Sequence, residues 1–136
     1  MMFFMRHGGV AVAVVAALLL SSPASASGDS AGWPIVAMTT NNSIFRMQPV
    51  ANRTPAGPGR VRIWDRVDYQ KPENGVSHSL RLSEYDCRNR KSRFLQWTNY
   101  SATGNPILTS TTPDEWIFVI PGTAGEDMVR AACTGV

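Results

Sequence analysis

The sequence predicts an α+β fold, an antiparallel meander-like sheet with one C-terminal helix bonded to it through a disulfide. Three observations carry this. Residues 60–69 alternate in polarity, with Val61, Ile63, Val67 and Tyr69 on one face and Arg60, Arg62, Arg66 and Asp68 on the other, the period of a half-wet strand. Residues near the C-terminus repeat apolar side chains at helical spacing. Cys87 ends a strand-like run, and Cys133 lies 46 residues on, near the end of that helix. Runs of strands followed by a terminal helix are the α+β pattern.

Taken in order, residues 33–38 read as a first strand, with Pro34 at its start because proline gives no N–H to a ladder. Asn41 and Asn42 turn the chain into a second strand over residues 43–47. Residues 49–59 hold three prolines and two glycines and read as a loop. After the strand over residues 60–69, residues 72–75 turn the chain back into a strand over residues 77–85. There Leu80 and Leu82 point one way while Tyr85 and Cys87 point the other. Either a bulge near Ser83 re-aims the side chains, or both faces of this strand are covered. Residues 93–100 form the next strand, residues 103–106 a turn, and residues 107–112 a short edge strand. Residues 115–120 are apolar on both faces, which predicts a central strand. Thr123 and Glu126 are spaced as a capping box. Met128, Val129, Ala132 and Cys133 then fall on one side of the helix. At about ten residues the helix is marginal alone and needs the sheet and the disulfide.

The N-terminus predicts export. Arg6 and His7 precede an apolar run of 13 residues, too short to span a membrane as a helix. Ala24, Ser25 and Ala26 then fit a signal-peptidase site. The reading is a signal peptide over residues 1–26 and one mature domain over residues 27–136, without a transmembrane segment. No cysteine follows the apolar run to take a lipid anchor. The mature part keeps all ten acidic and twelve of thirteen basic residues. Such a mild positive balance does not argue for nucleic acid or for a membrane surface. Two cysteines in an exported chain favour a structural bond. Closing a loop of this length is worth ~4 kcal/mol in the chain-entropy account.

Little in the chain suggests catalysis. His78 is the one histidine left after export, and Ser77 and Ser79 point to the opposite strand face, so neither is its nucleophile. One histidine and two distant cysteines cannot build a zinc site of ordinary spacing. Residues 56–59 lack the lysine and helix of a phosphate loop. No cofactor is expected. The carboxylate pairs Glu84/Asp86 and Asp114/Glu115 read as surface or capping groups, and His78 as a solvated residue near a strand start. Glycosylation-like triplets at Asn41, Asn52 and Asn99 are short enough to arise by chance.

The ordered set of residues resembles the surface-adhesin protein E family of Gram-negative bacteria. It runs through Ser43, Ile44 and Arg46, then Val61, Ile63, Trp64 and Tyr69, then Ser79, Leu80, Tyr85, Asp86 and Cys87. It continues with Tyr100, Gly104, Trp116, Val119, Ile120, Pro121, Glu126 and Cys133. The resemblance spans essentially the whole mature chain. It implies an antiparallel sheet of about six strands with the terminal helix pinned to one face. The name-giving member is a surface lipoprotein that binds host matrix and serum proteins, which implies a binding module.

The best binding candidate is the basic stretch Arg88, Arg90, Lys91 and Arg93, with Arg60, Arg62 and Arg66 as an adjoining stripe. Such a cluster suits an acidic protein, a sulfated glycan or lipid phosphates. Trp64 shares the wet face, placed to stack on a guanidinium or to enter an interface. Trp97, Tyr100, Trp116 and Phe118 exceed what one short helix covers, which predicts a homodimer burying part of a sheet face. The expected function is an exported, non-enzymatic, adhesin-like module at the surface, in the medium or in the periplasm. The alternative is a periplasmic inhibitor of an envelope-acting enzyme such as lysozyme. A small hydrolase using His78 ranks last.

Overall fold

A computed structural model describes residues 30–136, so the signal peptide read over residues 1–26 lies outside the described residues. The strands are β1 (Ile35–Met38), β2 (Ile44–Met47), β3 (Thr54–Gly57), β4 (Arg60–Glu73), β5 (Val76–Asp86), β6 (Lys91–Tyr100), β7 (Pro106–Ser110) and β8 (Ile117–Phe118). One helix, α1 (Ala124–Ala132), follows. All strand pairs are antiparallel, in the order β1-β2-β4-β5-β6-β7. β2 pairs with β4 from Asp65 to Asp68, and β3 takes the same side of β4 at Arg60, Val61 and Arg62. β7 and β8 likewise share one side of β6. Eight strands therefore fill six positions, and the family expectation of about six holds.

The alternation in β4 decides which face is dry. Val61, Ile63 and Val67 are buried, and Met47, Val61, Ile63 and Tyr85 pack against Met128, Val129 and Ala132 of α1. Fully burying such a side chain is worth about 1.5–3 kcal/mol, so this cluster holds a helix that could not persist alone. The Cys87–Cys133 disulfide ties the end of β5 to the end of α1. Arg53 Nη1 donates to the Ala132 carbonyl at 3.0 Å and also to that of Thr134, securing the last turn.

Four local expectations need correction. Residues 115–120 do not form a central strand: β8 is a two-residue edge segment, with Ile117, Phe118 and Ile120 exposed. An apolar run of this length carries no mark of which side it buries. Residues 49–59 are not wholly loop, because a short 3-10 turn (Val50–Asn52) leads into β3. The capping box is half formed. Thr123 Oγ1 donates to the Ile120 carbonyl at 2.6 Å, while Glu126 Oε2 accepts from the Gly122 N–H at 2.8 Å. Gly122 sits at φ +76°, in the left-handed region that brings its N–H to the carboxylate. The irregularity near Ser83 belongs to the facing strand: Leu82 pairs Gln96 and Ser83 pairs Phe94, leaving Leu95 as the extra residue of β6. Both faces of β5 are also covered, since Leu80 on one side and Tyr85 on the other are buried.

Candidate functional site

Strand alternation puts Arg60 and Arg62 on the face away from α1, and the hairpin register fixes what stands beside them. Arg60 faces Asp86, which faces Lys91, and Arg62 faces Glu84, which faces Arg93. Two base–acid–base rows thus cross β4, β5 and β6. The Glu84 side chain is fully buried, and its carboxylate accepts from Arg62 Nε at 2.8 Å, Arg93 Nη2 at 3.3 Å and Arg60 Nη1 at 3.4 Å. A buried carboxylate is tolerated only when paired and hydrogen-bonded, and three guanidiniums meet that requirement with charge to spare. Arg62 keeps 45% of its side chain exposed.

Trp116 closes one side of the rows. Its ring lies under the Arg93 guanidinium, 4.6 Å from the centroid, and under the Lys91 ammonium at 5.0 Å. β8 places Phe118 opposite Lys91, and the residue is 71% exposed. Arg93 Nε is buried without a hydrogen-bond acceptor. Asp86 accepts from the Asn89 backbone N–H at 3.0 Å and from Asn89 Nδ2 at 2.9 Å. These bonds hold its carboxyl below the usual range, aided by Lys91, and they shape the four-residue turn that leads into β6.

The basic stretch is therefore not one cluster. Lys91 and Arg93 join Arg60 and Arg62 on the helix-free face. Arg90 turns to the helix side and binds Glu126 at 3.1 Å. Hydrogen bonding from Gly122 and the cations Arg130 and Arg90 lower the Glu126 carboxyl. Arg88 is exposed and lies over Gly59, where an added Cβ would meet its Cγ at 2.7 Å. Arg66 also leaves the group, pairing with Asp68 at 2.6 Å and donating to Ser30 Oγ at 3.0 Å. Trp64 sits half-buried opposite Leu82, and the tryptophan stacked on cations is Trp116 instead. Sequence reading missed Glu84 as the centre of the site. The sequence shows Glu84 and Asp86 sharing a face of β5 with Leu82, but which cations stand beside them depends on the pairing register.

His78 is half-buried rather than solvated, stacked on Tyr100 with ring centroids 4.8 Å apart. Burial and Arg66 lower its pKa, against the pull of Asp68. The Ser79 hydroxyl, on the other face, donates to Asn99 Oδ1 at 2.6 Å. Among the described residues no group of three or more His, Cys, Asp or Glu side chains is placed to hold a metal ion, and no helix is long and apolar enough to cross a membrane.

Comparison with known proteins gives one match. A family model described as surface-adhesin protein E covers residues 38–134. No curated protein and no solved structure matches the chain.

Proposed function

The chain belongs to the surface-adhesin protein E family, and from that premise we propose that it is an exported, non-enzymatic module that docks acidic protein surfaces. Family membership and a disulfide both favour an exported, adhesin-like protein. The observation that carries the docking reading is the pair of rows around Glu84. Four cations there meet two carboxylates, so the face keeps a positive excess beside Trp116 and the exposed Phe118. Arginine and tryptophan beside an exposed aromatic side chain match the composition of binding hot spots. Self-association through the same exposed apolar edge belongs to the proposal. A protein that sediments as a monomer at ~50 μM, far above the micromolar affinities of weak pairs, would remove that part.

The test is binding of purified matrix and serum proteins to the wild type and to Arg60→Ala/Arg62→Ala. Both arginines are partly exposed, so the fold should survive, as circular dichroism will report. The expected result is an affinity loss of about tenfold or more, with wild-type binding weakening as salt rises. Equal binding by the variant would overturn the assignment. Protease treatment of intact cells decides where docking occurs. Surface cleavage supports adhesion, whereas full protection confines the protein to the periplasm and turns the search to inhibition of envelope-acting enzymes.

A further inference from the structure

The helix-side face of the sheet is only half covered. α1 packs on β1 and β2 and closes the core at Val61, Ile63 and Tyr85. Past the buried Asp65, the rows of β4, β5, β6 and β7 continue without it. Val67 faces Ser79, Asn99 and Leu108 in turn, and Asp65 faces Arg81, Trp97 and Ser110. A cleft of about 240 Å³ opens there between Tyr69, Trp97 and Phe94, with Asp114 on its wall. A second cleft of about 380 Å³ shares Tyr69 and Asn99 with it and extends to Glu73 and Leu108. Joined through Tyr69 and Asn99, the two form one groove, the larger part within and the smaller part just below the roughly 300–1,000 Å³ of small-molecule sites.

We infer that this groove is a binding site for neutral oligosaccharides, distinct from the basic rows on the opposite face. Its chemistry excludes the alternatives in turn. Arg81 is the cation in the lining, but its guanidinium is bonded to the buried Asp65 and sandwiched between Phe45 at 5.5 Å and Phe94 at 4.6 Å. Its charge is thus neutralised within the protein, and the exposed Asp114 repels an acidic ligand. A cationic ligand would find in the lining only the exposed carboxylates Asp114 and Glu73, where solvent leaves an ion pair worth little. A peptide adding as a strand would pair along the outer edge of β7, beside the groove rather than on the sheet face that forms it. Neutral sugars fit what remains. Tyr69, Phe94 and Trp97 offer aromatic faces to the C–H side of a pyranose ring. Asn99 Oδ1 accepts from Ser79, which leaves its amide N–H groups to donate, and Asp114 accepts from sugar hydroxyls.

The experiment titrates the mature protein with neutral tetrasaccharides of hexose and N-acetylhexosamine units, and in parallel with sialylated and sulfated counterparts. Binding is followed by amide and indole NMR shifts. The expected result is shifts at Trp97 and Asn99 with neutral sugars. Trp97→Ala should weaken binding by about tenfold, and Arg62→Ala on the far face should leave it unchanged. Should Trp97→Ala fail to fold, Asp114→Ala, on an exposed loop, should weaken binding several-fold. No shift at about 5 mM sugar, weaker than the millimolar limit of useful affinity, would overturn the inference. So would binding of acidic glycans alone, or neutral binding indifferent to both Trp97→Ala and Asp114→Ala.

Discussion

Two fully buried carboxylates sit three strand rows apart on β4 and β5, and the sheet treats them in opposite ways. Asp65 faces the helix side. It binds one guanidinium, that of Arg81, together with the Ser83 hydroxyl, and Tyr85 Oη lies 3.4 Å away. Phe45 and Phe94 enclose Arg81 from both sides. Glu84 faces away from the helix and binds three guanidiniums, of which those of Arg60 and Arg62 stay partly in water while that of Arg93 lies on Trp116. The first carboxylate is saturated by one partner inside the packing. The second gathers more positive charge than it cancels and displays it. Buried charge thus serves stability on one face and recognition on the other, and neighbouring packing decides between them.

Breaking the closed pair should produce the largest effect. Arg81→Met leaves Asp65 buried without its cation, a change that costs about 3–5 kcal/mol. Urea denaturation will measure it, and the double variant Asp65→Leu/Arg81→Met should recover most of the loss, because a well-packed apolar pair often matches a buried ion pair. No recovery would mean that Arg81 stabilises through its aromatic sandwich instead. The next largest effect is Cys87→Ser/Cys133→Ser. It frees α1 from the helix side, costs roughly 2–4 kcal/mol and lowers Tm by ten degrees or more, on the scale of about 4–8 °C per kcal/mol. The sheet signal in circular dichroism and the basic rows should persist. An unchanged melt would show that packing alone holds the helix. Smaller still is Arg62→Ala. With Arg60 and Arg93 remaining on Glu84 and nearly half the side chain in water, its stability effect should stay under about 1 kcal/mol. A larger loss would place Glu84 among the structural carboxylates and erase the contrast.

The sequence made the closed face more legible than the open one. Clean alternation in β4 announced a dry row at Val61, Ile63 and Val67, and two cysteines in an exported chain announced the staple. The open face depends on register, and register was hidden. Asn74 and Gly75, at φ +51° and +77°, form the β4–β5 turn, with Glu73 opposite Val76. Counting back from that turn would set Arg60 against Asn89. The irregularity between Asp68 and Glu73 shifts the pairing by three residues and brings Arg60 to Asp86 and Arg62 to Glu84. A slip of odd length also exchanges the two faces, so no pattern within either strand could reveal the rows. Trp116 was missed as a partner of Lys91 and Arg93 for a related reason, since its segment was read as a central strand and is an edge.

The smallest predicted effects separate the two faces by pH. Tyr85 lies in the closed region, where burial and the Asp65 charge push its phenol well above the usual range. The folded state therefore holds its proton after the unfolded state has released it. Stability from this group is complete below about pH 10 and falls as pH rises beyond it. Asp86 lies in the open rows, and its depressed carboxyl pKa gives the opposite sign. Its contribution is complete above about pH 4 and is lost as pH falls through the folded value. Tyr85→Phe should flatten the alkaline limb of a stability–pH curve and leave the acid limb alone. Asp86→Asn should do the reverse. If Tyr85→Phe left the alkaline slope intact, the phenol would be reaching water, and the helix-side cluster would be as open as the rows behind it.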